Sequence, residues 1–150
     1  MFFVPVAGAV DVTGSASFTV ILESGCAISN SPVLSVNYIG LADASSSSDK
    51  FSLQSICNNS VSYTITVGAG NNASGGIRRA AYGGSYVNYR LYTDSGRTQE
   101  LGASSSNTIT GTGDELTQTQ DIYASVLVSD NSGVSTLGAY TDVITVVYAW

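Results

Sequence analysis

The fold is decided by a stretch near the start of the sequence, Val10-Asp11-Val12-Thr13-Gly14-Ser15-Ala16-Ser17-Phe18-Thr19-Val20-Ile21-Leu22. Its even positions are apolar or small, and its odd positions are polar until Ile21. Because successive side chains of a strand point to opposite faces, this alternation predicts one long β-strand with one apolar face. The hinge residues Ser24-Gly25-Cys26 follow this strand. We therefore expect an arm over residues 1–25 and a single β-sandwich domain over residues 26–150.

A long alternating strand that a hinge separates from the domain needs a groove in which to lie. We hypothesise that the groove belongs to a second copy of the same chain. The side chains that would fill it are those on the apolar face of the arm, namely Val10, Val12, Gly14, Ala16, Phe18, Val20 and Leu22.

Residues 1–9 are apolar, and two interpretations stay open for them. The triplet Ala7-Gly8-Ala9 looks like the small-x-small motif of a signal-peptide cleavage site, so the segment could be a signal-peptide remnant. Alternatively, it belongs to the arm, because Phe2, Val4, Val6 and Gly8 continue the same alternation.

The composition favours an exported β-protein. Charged residues make up only 11% of the chain, well below the usual quarter, so Ser, Thr, Asn and Gly must supply most of the polar surface. The net charge is −6 with five basic residues. A nucleic-acid partner is not expected, because no basic patch could neutralise phosphates. Membrane insertion is not expected either, because the sequence has no apolar run of helix-spanning length.

Cys26 and Cys57 are the two cysteines of the sequence. In an exported protein they are enough for one disulfide, and two buried free thiols are the alternative. The sequence has no His, so we expect no zinc site and no histidine base for catalysis. No Ser lies in a G-x-S-x-G elbow, so we expect neither an enzyme nor a cofactor.

Shorter alternating segments further along the chain also predict strands, separated by Gly, Asn and Ser turns. No amphipathic helix is evident, and the pattern is typical of an antiparallel β-sandwich. The glycine-rich segment 68–76 lacks the lysine of a phosphate-binding loop and is predicted to be a long hairpin loop. The predicted strands lie in 34–40, 51–57, 61–67, 86–93, 120–128 and 143–150, with a weak edge strand or loop in 104–113.

A few residues invite chemical interpretations that we weigh against plainer ones. Asp114-Glu115 is the only adjacent acidic pair and would suit a glycosidase only at the required carboxyl separation, so we interpret it as solvated loop charges. Asp130-Asn131 lacks the ligand series of a calcium-binding loop and is interpreted as a turn. Exposed tyrosines could stack on sugars, but packing within the sheets is the plainer use.

Two motifs in the C-terminal half, Tyr89-Arg90-Leu91-Tyr92-Thr93-Asp94 and Gly138-Ala139-Tyr140-Thr141-Asp142, together resemble the Spore Coat Protein U domain family. Ser24-Gly25-Cys26 after the arm fits the same pattern, as does Cys57 ahead of Tyr63-Thr64-Ile65-Thr66-Val67. The resemblance extends over essentially the whole stretch from Val10 to Trp150. The segment 103–118 and the serines around Ser45 depart from the family pattern.

This resemblance implies an archaic chaperone–usher pilus subunit. Its implied fold is an incomplete immunoglobulin-like antiparallel β-sandwich that lacks its last strand and is completed by donor-strand exchange. A periplasmic chaperone would fill the gap first, and an outer-membrane usher would then replace it with the arm of the next identical subunit. We expect the acceptor groove to be lined by the last strand, whose apolar face carries Ile144, Val146 and Tyr148.

The implied function is that of a structural fibre subunit at the cell surface, which supports adhesion and biofilm formation. Two other readings stay open. A tip adhesin would carry an extra receptor-binding domain and no donor arm. A stand-alone carbohydrate-binding sandwich would fold the arm back into its own groove and stay monomeric.

Overall fold

The computed structural model describes residues 15–103 and 108–150. Within these residues the secondary structure consists of β-strands and one short 3-10 turn, Val128–Asp130. The strands are β1 (Cys26–Ile28), β2 (Lys50–Cys57), β3 (Ser62–Val67), β4 (Arg78–Tyr82), β5 (Ser85–Tyr92), β6 (Thr108–Thr112), β7 (Thr117–Ser125) and β8 (Val146–Ala149).

The strands form two sheets. One sheet has five strands in the order β1-β2-β7-β5-β4, and the other has three in the order β6-β3-β8. Every strand pair is antiparallel. The all-β antiparallel fold predicted from the sequence is therefore confirmed.

The core lies between the two sheets and is built from alternate residues of their strands. In β3, for example, Tyr63, Ile65 and Val67 are buried, whereas Thr64 and Thr66 lie on the outer face. Each large apolar side chain buried in this way stabilises the fold by about 1.5–3 kcal/mol. The main buried cluster consists of Leu53, Cys57, Tyr63, Ile65, Val67, Leu91, Leu101, Ile122, Ala124 and Tyr148.

Most of the predicted strands are confirmed, with small changes at their ends. The segments 51–57, 61–67 and 86–93 correspond to β2, β3 and β5. The segment 120–128 corresponds to β7, which ends at Ser125, because the chain then enters the 3-10 turn. The weak edge strand expected in 104–113 is β6, at the edge of the three-stranded sheet. The last strand is shorter than predicted and covers Val146–Ala149.

Two of the predicted strands are not formed in the single chain. Residues 15–22 of the predicted Val10–Leu22 strand belong to no strand, and residues 10–14 lie outside the described residues. The predicted strand at 34–40 also has no strand pairing. A strand requires a partner for its backbone N–H and C=O groups. Neither segment finds such a partner within the part of the chain that the structure describes.

Strand β4 was not predicted from the sequence. The prediction of a hairpin loop in the segment before it was wrong. The segment 68–76 is not a hairpin loop, because it leads from β3 in one sheet to β4 in the other. The hairpin lies further on, where Gly83 and Gly84 connect β4 to β5. Both glycines have positive φ angles, 53° and 81°, as a tight two-residue hairpin turn requires.

Candidate functional site

The outer edge of β8 is an open sheet edge. Among the described residues, β8 pairs only with β3. The N–H of Gly68 donates to the carbonyl of Thr145 at 2.8 Å. Because hydrogen-bonded pairs alternate along an antiparallel ladder, the odd-numbered residues bond toward β3. The backbone groups of the even-numbered residues Ile144, Val146 and Tyr148 therefore point to the open edge.

The side chains of these same three residues face the core. Tyr148 is buried, and Ile144 and Val146 are half-buried against the main cluster. The exposed side chains of this segment, Val143 and Val147, lie on the opposite face. The structure thus brings the three predicted groove residues together on one face, beside an unpaired backbone edge.

A second unpaired segment, residues 33–39, borders the same core. Leu34 and Val36 pack on the main cluster, and Tyr38 packs on a neighbouring cluster that contains Val87 and Val126. The intervening residues are exposed, so side-chain burial alternates as in a strand. No backbone hydrogen bond ties this segment to another described residue. Its pattern is that of a strand whose partner is missing.

Each of these two segments carries a buried hydroxyl without a partner. The phenol oxygens of Tyr38 and Tyr148 are buried, and neither has a hydrogen-bond partner among the described residues. An unsatisfied buried polar group costs about 1–3 kcal/mol.

The described part of the arm, residues 15–24, does not fill this gap in its own subunit. Residues 15–24 are exposed throughout, with Phe18 at 90% and Leu22 at 91% of full exposure. Ala16 and Val20 are exposed as well. The other three predicted donor residues, Val10, Val12 and Gly14, lie outside the described residues.

The base of the arm is held firmly. The N–H of Gly25 donates to the side-chain oxygen of Asn58 at 2.7 Å, and the N–H of Asn58 donates to the carbonyl of Gly25 at 3.0 Å. The next residue, Cys26, forms a disulfide with Cys57, as predicted. The backbone is therefore anchored from Gly25 onward.

Asp130 and Asp114, which were considered as calcium-binding and catalytic residues, form hydrogen bonds within the fold. The carboxylate of Asp130 accepts hydrogen bonds of 2.6 and 2.9 Å from the guanidinium of Arg90, which lowers the pKa of Asp130. Asp114 accepts the N–H of Leu116 in an exposed turn. No group of three or more potential metal ligands occurs among the residues that the structure describes.

Arg78 is a buried cation whose role was not predicted from the sequence. Its guanidinium is almost fully buried, and burial lowers its pKa. It donates hydrogen bonds to the carbonyls of Val67, Gly68, Leu101 and Gly102. It thus joins the end of β3 to the segment after β5. No local sequence pattern indicates this role, because the carbonyls that Arg78 binds belong to other segments of the chain. The neighbouring Arg79 lies on the opposite face of β4.

Comparisons with known proteins agree with this fold. The model of the Spore Coat Protein U domain matches residues 12–147, so the chain belongs to the Spore Coat Protein U domain family. The resemblance inferred from the two motifs is confirmed. A search of curated proteins gives no significant match.

A solved structure is similar in fold. It is a chain of the CsuC–CsuE chaperone–tip adhesion subunit pre-assembly complex from the archaic chaperone-usher Csu pili of Acinetobacter baumannii. The TM-score is 0.58 at 15% sequence identity, and the match covers 85% of this chain but 40% of that chain. Our chain therefore spans less than half the length of this structural relative. Within the described residues, no helix is long and apolar enough to cross a membrane.

Proposed function

We propose that this chain is a structural subunit of an extracellular fibre assembled by the chaperone–usher pathway. In this proposal the arm of one subunit completes the sandwich of the next by strand addition. The observation that carries it is the coexistence of an exposed, alternating arm with an unpaired sheet edge in the same chain. Membership of the Spore Coat Protein U domain family supports it, as does the fold shared with a pilus chaperone–subunit complex.

The apolar face of the arm provides a substantial driving force for assembly. Five large apolar residues lie on the donor face of the arm, and burying each contributes about 1.5–3 kcal/mol, which amounts to roughly 8–15 kcal/mol at most. Backbone hydrogen bonds to the open edge add register and direction. The five residues are Val10, Val12, Phe18, Val20 and Leu22.

The geometry of the contact implies a filament. The donor arm and the acceptor groove are different surfaces, so each contact is head-to-tail, and such contacts produce a fibre when they do not close into a ring. The fibre would lie at the cell surface, where it would support adhesion and biofilm formation. The chain would act without catalysis or cofactor.

Assembly through this groove requires protection before the neighbour arrives. An open apolar edge is an aggregation hazard, so we propose that a periplasmic chaperone covers it and that an outer-membrane usher exchanges the chaperone for the next arm. A tip adhesin is less well supported, because the exposed arm suits a subunit that donates a strand. A monomeric sugar-binding sandwich is less well supported because Phe18 and Leu22 stay out of their own core.

The decisive experiment compares two variants, each of which places one negative charge on a different face of the arm. Phe18→Asp puts a carboxylate on the donor face, and Thr19→Asp puts the same charge one residue further, on the opposite face. Each variant is expressed with its chaperone and usher, and fibres are counted by electron microscopy. We expect Phe18→Asp to abolish fibres, Thr19→Asp to retain them, and both to keep the chaperone complex. Normal fibres from Phe18→Asp would show that the arm is not the donor.

A further inference from the structure

The indole of Trp150 lies against the base of the arm. A Cβ atom built on Gly25 would lie 3.6 Å from three atoms of that ring, Cε2, Cζ2 and Nε1. The ring therefore lies beside Gly25, at the distance at which a side chain on that residue would touch it. Trp150 nevertheless stays 60% exposed, so most of the largest aromatic side chain in the sequence faces solvent at this point.

The base of the arm, next to this aromatic ring, is fixed. Both backbone groups of Gly25 are bonded to Asn58, and Cys26 is cross-linked to Cys57. Trp150 itself follows directly on β8, the strand with the open edge. The base of the arm and one end of the acceptor strand therefore meet at Trp150.

The connection between this point and the donor segment is very short. Only Glu23 and Ser24 separate Leu22, the last proposed donor residue, from Gly25. Three Cα–Cα steps span at most about 11 Å even when fully extended. Any subunit that encloses Leu22 must therefore bring its surface close to Gly25 and to the indole beside it.

We propose that the exposed face of Trp150 docks on the neighbouring subunit that receives the arm, a second copy of this chain. This inference rests on the proposed function and adds a surface contact to the inserted strand. Tryptophan suits such a contact, because a rigid aromatic ring buries a large area at a low cost in conformational entropy. The contact restrains the angle between successive subunits, which the two-residue connection alone would leave variable.

Intrinsic fluorescence tests the contact directly, because Trp150 is the only tryptophan of the sequence. Fibres purified free of chaperone are titrated with acrylamide, and the same fibres unfolded in guanidinium chloride provide the fully exposed reference. We expect a blue-shifted emission and a several-fold lower quenching constant in the fibre. A quenching constant of about 60% of the reference or more, which is what the exposure of Trp150 in the single subunit implies, would overturn the contact.

Variants give a second, independent measurement. Trp150→Ala should still form fibres, but with a shorter persistence length in electron micrographs, and Trp150→Phe should retain more of the stiffness. Val147→Ala is the matched control, because Val147 is an exposed apolar residue on the outer face of β8, the strand that Trp150 follows. This substitution should leave the stiffness of the fibre unchanged. Equal stiffness in Trp150→Ala and wild-type fibres would refute the contact while leaving strand donation intact. Absence of wild-type fibres would instead refute the proposed function and this inference together.

Discussion

The phenol of Tyr89 donates a 2.6 Å hydrogen bond to Oδ2 of Asp142 and so joins the two sequence motifs on which the family resemblance rests. The other carboxylate oxygen of Asp142 accepts hydrogen bonds from the backbone and side-chain amides of Asn72 at 3.1 and 3.0 Å. Gly70 must lack a side chain here, because a Cβ would collide with the Asp142 carboxylate. The segment that leads into β8 is thereby fixed to β5 and to the loop after β3.

Tyr89→Phe should lower the free energy of unfolding by about 1–2 kcal/mol at neutral pH, because the carboxylate loses a hydrogen-bond donor. Burial, and then the hydrogen bond to Asp142, raise the pKa of Tyr89 well above its usual range. Since the folded-state pKa exceeds the unfolded one, this stabilisation is complete below about pH 10 and declines as the pH rises further. Urea unfolding at pH 8 and at pH 11 measures it. The gap between wild type and variant should narrow at pH 11, and a constant gap would contradict the prediction.

Asn131→Ala should destabilise the subunit by about 1–3 kcal/mol, because it leaves partly buried backbone groups unpaired. The side chain of Asn131 accepts the N–H of Asn88 at 2.6 Å and donates to the carbonyls of Asn88 and Leu127 at 3.0 and 2.9 Å. Thermal unfolding gives the size of the effect. Ser132→Ala, in the same turn but exposed, is the control and should change little. Equal melting temperatures for the two variants would argue against this role.

The double substitution Cys26→Ser and Cys57→Ser should lower stability by about 3–4 kcal/mol in the chain-entropy model, since the disulfide joins residues 31 positions apart. The yield of the chaperone complex should fall with it. Calorimetry of the wild type with and without reductant provides the same comparison without mutation. An unchanged melting temperature under reduction would count against a stabilising disulfide.

Proteases should distinguish a free arm from an inserted one. Residues 1–49 contain no Lys or Arg, so trypsin has no site in the arm, whereas chymotrypsin has sites at Phe18 and Leu22. We expect chymotrypsin to remove the arm from unassembled subunits and to spare it in fibres, with mass spectrometry identifying the cuts. Trypsin should affect both states alike and controls for the stability of the domain. Rapid loss of the arm from intact fibres would be incompatible with strand insertion.

Strands with one buried face could be predicted from the sequence, because their apolar residues alternate. In β3, Ile65 belongs to the set of residues predicted to share the apolar face, and it is buried. The same is true of Ile122 in β7. Strand β4 escaped prediction because the residue buried at its start is Arg78. A cation satisfied by carbonyls from distant segments has no local sequence signature.

The candidate site was predictable only in part, for a related reason. Alternation correctly indicated that the side chains of Leu34, Val36 and Tyr38 turn inward. It carries no information on whether the backbone of this segment has a hydrogen-bonding partner. The same holds for the arm, whose pattern indicates a strand that a single chain does not form. The proximity of Trp150 to Gly25 involves residues far apart in the sequence and could be seen only in three dimensions.

The disulfide next to the arm has a mechanical consequence for a fibre of the proposed kind. Tension along such a fibre would enter each subunit at Gly25 and meet the cross-link from Cys26 to Cys57 one residue later. The load would thus pass to β2, which is paired with β7 along most of its length, instead of peeling the three-residue strand β1 away from its sheet. The covalent cross-link would then carry a load that the three residue pairs between β1 and β2 would otherwise have to bear.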